Sequence, residues 1–369
     1  MKADSRPIKH FSLHRIAGTE LRVVSDVEAG VIPLIRVEAA VIEGYSRSPD
    51  WRQEIVTLFV LRDMQPLVRQ LAESRKQGAG RAQPSVPGLE HRPVVNVYDL
   101  KNPHASHIFV NQAVMEKEGY WGDDQAAIAL LAHEHAHPLA ECETIRSSRV
   151  VKVALAPAVR SAARLADADD RHQAWLEKIR ALLADVAARL CLHAPREVFA
   201  NQVVIQNGFG EALLYLDRKN VGNAAQSVRG KETLRRQLLA EVVAGDLTPT
   251  GADLLLLIGE LSGYLDLALE TAAFYRQAAA SGGASHHSLL EGPPEPGQEL
   301  EAALQANVFP FLEPEVGRAY VRLREGYSLL PDGASPRELT AHIAGWLDLL
   351  AQALRVKGLE LNYSVEPDD

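Results

Sequence analysis

His133, Glu134 and His137 stand in the pattern H-E-x-x-H, at the end of the run Ala126-Ala127-Ile128-Ala129-Leu130-Leu131-Ala132-His133-Glu134-His135-Ala136-His137. Four residues advance an α-helix by about 400°, a little over one turn. His133 and His137 therefore project from one face and can share one ion. Glu134 sits beside them and can reach a water on that ion without being a ligand. This is the donor set of a zinc hydrolase: imidazoles hold the metal, the metal lowers the pKa of water, and the carboxylate takes the proton. In a chain of this composition the pattern arises by accident in roughly 3 of 100 sequences of the same length. Here it closes a helical run over 125–142 that opens on a capping sequence, Gly122-Asp123-Asp124. His135 faces away from the pair and is expected in packing or in solvent.

A zinc hydrolase needs a third protein ligand and an open position. The next candidate is Glu197, in Pro195-Arg196-Glu197-Val198-Phe199-Ala200-Asn201, on a helix that Pro195 suits at its first turn. Asn201 is one turn later and could fix the tautomer of a ligand histidine by a hydrogen bond. A Glu near a helix N-terminus is also what the helix dipole favours, so spacing alone leaves Glu197 open. Cys142 and Cys191 read as buried, reduced thiols rather than as ligands.

Several elements must position these residues. Arg92-Pro93-Val94-Val95-Asn96-Val97-Tyr98 opens a strand, a turn follows at 101–103, and 106–111 reads as a second strand. That second strand is either a sheet edge that adds a substrate peptide or an internal strand of the core. Residues 1–77 read as mostly helical: after one strand at 19–24, the apolar spacing over 33–76 is that of helices. Residues 78–93, rich in Gly, Pro, Ser and Gln, read as a linker or loop. The core region runs over 94–230. Within it 150–193 reads as mostly helical, 195–206 as a helix, 208–210 as a break and 211–219 as helix again. Residues 231–369 read as a C-terminal helical region with a flexible loop at 281–296 and an unstructured tail at 366–369. The expected fold class is α+β, helix-dominated, with a small β-sheet and helical flanks.

Composition removes other classes of function. The chain has 369 residues, 47 % of them apolar, enough to bury a core without disulfides, and its two cysteines form no disulfide framework. The net charge of −9 makes it a poor partner for phosphate backbones, so no nucleic-acid partner is expected. No stretch reaches the roughly 18 to 20 uncharged apolar residues of a spanning helix. The nearest, 254–274, carries Glu260, Asp266 and Glu270. The first residues contain no continuous apolar run of the kind a signal peptide carries. A cytoplasmic protein without membrane insertion is expected.

The two motif helices together resemble gluzincin metallopeptidases of the CAAX prenyl endopeptidase and heat-shock HtpX-type family. In that family a strand pair precedes the H-E-x-x-H helix. A later E-x-x-A-D helix supplies the ligand Glu, followed by a small-residue break and an A-L-x-x-L helix. This chain has Val95-Asn96-Val97-Tyr98, Ile108-Phe109-Val110 and His133 to His137, then Glu197-Val198-Phe199-Ala200-Asn201, Gly208-Phe209-Gly210 and Ala212-Leu213-Leu214-Tyr215-Leu216. The likeness covers about a third of the chain, 92–219. It implies a zincin-like metallopeptidase core with Glu197 as the third ligand. Asn201 stands where the family has Asp. The family is typically membrane-embedded, and its members often carry a His-Pro pair and an Arg after the A-L-x-x-L helix. Here the comparable stretch, 227–235, has no His. The group that would stabilise the oxyanion is left among Arg229, Arg235 and Tyr215, with Tyr264, His286 and His287 as further alternatives.

The expectation is then a soluble zinc-dependent metalloendopeptidase with one Zn²⁺ per chain, a peptide or protein substrate, and Glu134 as general base. The alternative is a latent or catalytically silent protein of the same fold that binds peptides or regulates.

Overall fold

The computed structural model describes residues 7–69, 89–159, 165–166, 169–280 and 295–367. The chain groups into two units: residues 1–140 with 203–216, and residues 141–202 with 217–369. Each contains its own sheet. The architecture is α+β and helix-dominated.

The first unit holds a five-stranded mixed sheet in the order β1-β2-β3-β5-β4. β1 (His10–Ile16) and β2 (Thr19–Ser25) form an antiparallel hairpin. Its turn needs a left-handed backbone at Ala17 and Gly18, with φ of 49° and 93°. α1 (Val31–Tyr45) crosses over to β3 (Ile55–Leu61), which pairs parallel to β2 and to β5 (Asn102–Asn111). β4 (Val94–Asp99) closes the sheet antiparallel to β5. One face of the sheet is fully buried through Leu21, Val23, Val56, Leu58, Val60, Ile108 and Val110. α2 (Gln112–Lys117) leads to the motif helix, α3 (Asp124–Leu139).

One expectation for this region is corrected, and one open alternative is decided. The described residues of 1–77 are not mostly helical: three of their elements are strands, and 55–61 is a central one. Ile55-Val56-Thr57-Leu58-Phe59-Val60-Leu61 offers apolar residues at helical spacing. Its β-branched content and strict alternation between buried and half-buried positions settle it as strand. The segment 106–111 is not an edge. β5 is bonded to β3 on one side and β4 on the other, so β4 is the terminal strand. The linker stretch 78–88 lies outside the described residues.

The second unit begins with α4 (Glu143–Ser148). It continues with β6 (Val151–Val159), α5 (Asp169–Ala187) and α6 (Ala194–Val204). Residues 151–159 belong to the stretch 150–193 that reads as mostly helical. They form a strand instead, paired antiparallel with β7 (Leu359–Pro367), whose long partnership outweighs the local alanines. β7 also takes in Glu366 and Pro367 of the expected unstructured tail. α7 (Gly210–Val243) starts in the first unit and runs on into the second.

The stretch 254–274 falls on two helices, α8 (Pro249–Tyr264) and α9 (Leu267–Ala280). α10 (Pro296–Asn307), α11 (Pro314–Ser328) and α12 (Pro336–Arg355) complete the unit. α12 starts on a capping box between Ser335 and Glu338. Residues 281–294 of the expected flexible loop lie outside the described residues. Among the described residues no helix is long and apolar enough to cross a membrane.

Candidate metal centre

α3 begins where the sequence places it. The Asp123 carboxylate accepts from the Ala126 N–H at 3.1 Å and satisfies one of the unpaired donors of the first turn. Ten residues on, the motif side chains converge. The rings of His133 and His137 meet edge to face, with centroids 4.6 Å apart and an 83° angle between planes. Donor atoms of His133, Glu134 and His137 all lie within 4.8 Å of one another, and His137 Nε2 is 3.9 Å from Glu134 Oε2. His133 is half-buried; Glu134 and His137 are buried. Two imidazoles and a carboxylate at one end of a helix, on the scale of a single coordination shell, could hold a metal ion, and zinc suits that donor set.

Glu134 is held from the neighbouring strand. The Asn96 backbone N–H, on β4, donates to Glu134 Oε2 at 2.8 Å. The Asn96 side-chain amide donates to the Glu134 carbonyl at 2.9 Å. The second bond has a cause in the sequence. Residue 138 is a proline inside the helix, without the N–H that would bond the carbonyl four residues back. That carbonyl belongs to Glu134, and the Asn96 amide takes the missing donor's place. Asn96 thus fixes both the main chain and the side chain of Glu134.

The opposite face of α3 is held as firmly. His135 is fully buried, with Nε2 2.8 Å from Glu38 Oε1 and Nδ1 3.0 Å from Gln53 Oε1. Glu38 comes from α1 and Gln53 from the connection before β3. The Tyr45 hydroxyl donates to the Ala132 carbonyl at 2.8 Å, and burial pushes that phenol far above its usual range. The Trp51 ring stacks on Tyr45 and lies 5.4 Å from the His135 ring. His135 is indeed turned away from the pair, but its two ring nitrogens are engaged rather than idle.

The other candidates fall elsewhere. Glu197 is half-buried in the first turn of α6, and Asn201 is buried one turn later on the same helix; both belong to the second unit. Two π-helical stretches, Ala188–His193 and Ile205–Phe209, bracket α6, and Gly208 takes a φ of 87° at the second. Tyr215 donates to Asp123 Oδ2 at 2.8 Å, at the start of α3. That is about 15 Å of helix rise from His133, which corrects its candidacy as an oxyanion donor. Arg229 and Arg235 are exposed on α7. Tyr264 lines a groove of about 300 Å³ between α7 and α8 that also holds the Lys231–Glu260 ion pair. His286 and His287 lie outside the described residues. Cys142 and Cys191 are free thiols, half-buried and buried, and burial pushes both above their usual range.

Asn96, Glu38, Gln53 and Tyr45 escaped the sequence reading, though two left a trace. Glu38 interrupts an apolar stripe formed by Leu34, Ile35, Val41 and Ile42, and a charge there must meet a partner inside. Asn96 interrupts Val94-Val95-Asn96-Val97 in the same way.

No protein-family model, no curated protein and no solved structure matches the chain. The class is therefore defined by fold and site alone: a helix-dominated α+β protein with a histidine–glutamate–histidine group able to hold a metal ion.

Proposed function

We propose that the chain is a zinc-dependent metalloendopeptidase with a zincin-like core. The observation that carries this reading is the convergence of His133, Glu134 and His137 at the end of α3, with Glu134 hydrogen-bonded to the terminal strand of a mixed sheet. Zinc, when bound, would acidify a water and polarise the scissile carbonyl. Glu134 takes the proton from the attacking water and returns it to the leaving amine. Asn96 keeps the Glu134 carboxylate aimed during both transfers. β4, at the end of the sheet, aligns a peptide substrate by adding it as a further strand through main-chain hydrogen bonds. The role of β5 in that alignment passes to β4. Glu197 as third ligand and Asn201 as the orienting partner of a ligand histidine rest on the family resemblance.

The test is metal content by mass spectrometry, followed by peptidase assays. One zinc per chain, lost in Glu197→Ala, supports the three-ligand site. Zinc retained in Glu134→Gln with hydrolysis reduced at least about 10³-fold supports the general base. A wild-type chain without zinc after reconstitution sinks the reading. Zinc retained in Glu197→Ala moves the third ligand elsewhere. Zinc-loaded wild type that cleaves no peptide points to a latent or silent protein of this fold.

A further inference from the structure

We infer that the Glu38–His135–Gln53 bridge sets the rotation of α3 about its own axis and so aims His133 and His137. The three are positioning residues, and this inference rests on the metal-site reading above. The buried apolar residues of α3 are Ala126, Ala127, Ala129, Leu131, Ala132 and Ala136. Alanines let a helix approach closely, but they interlock little and leave its rotation weakly defined. Directed bonds supply what they lack. His135 is gripped at both ring nitrogens, by α1 at 2.8 Å and by the connection before β3 at 3.0 Å, and the Tyr45 hydroxyl grips the Ala132 carbonyl at 2.8 Å.

The lever is long. Side chains reach about 6 Å from a helix axis, so a rotation of about 10° moves a ligand nitrogen by roughly 1 Å. Metal–ligand distances tolerate only about 0.2 Å. Stability does not account for the bridge. Among the described residues Glu38 Oε2 and Gln53 Nε2 find no hydrogen-bond partner, so part of their desolvation is unrecovered. Buried ion pairs replaced whole by apolar side chains are often neutral or stabilising.

The experiment measures zinc affinity by chelator competition and the thermal midpoint of the metal-free protein. It compares wild type, Glu38→Leu/His135→Leu and the milder Glu38→Gln. The double variant should keep its midpoint within a few degrees and raise the zinc dissociation constant by about 10-fold or more. Glu38→Gln should raise it several-fold. Visible bands of the cobalt-substituted protein, which report ligand geometry, should shift in both. Unchanged affinity and unchanged bands in a folded variant overturn the inference, and Glu38→Gln decides alone if the double variant does not fold. Wild type that binds no zinc overturns the metal-site reading itself, before any variant is compared.

Discussion

Glu38, buried in the first unit, and Glu270, half-buried in the second, each have one hydrogen bond and one oxygen without a partner among the described residues, but their charged neighbours differ. Glu38 finds His135, and Gln53 completes the contact on the far side of the ring. Glu270, on α9, is pushed well above the usual carboxylate range, first by burial, then by Asp217 and Asp266. One hydrogen bond from Asn220 at 3.1 Å opposes the rise. In the first unit a buried acid is matched to donors and anchors the motif helix. In the second, Glu270 faces Asp217 and Asp266, which raise its proton affinity. A buried carboxylate marks an anchor when its partner is a basic group held from another element. Burial alone does not make it one.

The sharpest way to break this contrast is to take the donor from Glu38. His135→Ala leaves a buried carboxyl facing a void and should destabilise the protein by about 3 to 5 kcal/mol, measured by urea unfolding. A loss below about 1 kcal/mol would mean that Glu38 reaches water or another donor, and the two acids would then be alike.

Asn96→Ala should cost less, about 1 to 3 kcal/mol, because the Glu134 carbonyl loses the Asn96 amide donor inside the protein. Pro138→Ala sharpens this test. It restores an N–H four residues after Glu134, so the Asn96→Ala penalty should shrink in that background. Equal penalties with and without Pro138 would show that the two residues are not coupled.

The sequence spoke clearly where a pattern is local. The motif's four-residue spacing and the Asp123 cap predict α3, its two-histidine face and its start. Pro195 and Gly208 bound the next candidate helix. The sequence was silent where partners lie far apart in the chain. β3 carries both helical apolar spacing and β-branched residues, and pairing with β2 and β5 decides for strand. β6 finds its partner about two hundred residues on, in β7. The His135 bridge joins positions 38, 53 and 135, and no window of the sequence holds all three. The Asn96–Pro138 relation is of the same kind: the proline announces an orphaned carbonyl, but the fold decides who fills it.

Glu270 yields a gain instead of a loss. Its folded-state value is raised above the ordinary 4.5, so above that pH the unfolded chain has released a proton that the folded one retains. Stability therefore falls as pH rises from 4.5 through the raised value, by up to about 1.4 kcal/mol per pH unit. Glu270→Gln should remove this slope and raise stability more at pH 8 than at pH 5. Urea unfolding at pH 5 and pH 8 checks it. Identical slopes in wild type and variant would mean that Glu270 ionises freely.

The smallest effect separates burial from partnership. Asp123 is a third carboxylate with donors, accepting from Ala126 N–H and from the Tyr215 hydroxyl, but it is only half-buried and Tyr215 is exposed. Water can replace the phenol in Tyr215→Phe, and the helix cap remains. The variant should lose no more than about 0.5 kcal/mol. Its zinc content should be unchanged and its hydrolysis rate should stay within about twofold of wild type, since the hydroxyl sits at the far end of α3 from His133. A hundredfold drop in rate with zinc retained would bring that hydroxyl to the reacting carbonyl. The His135 donor is worth several kcal/mol to Glu38 and the Tyr215 donor little to Asp123, because what a hydrogen bond contributes is set by whether water can take its place.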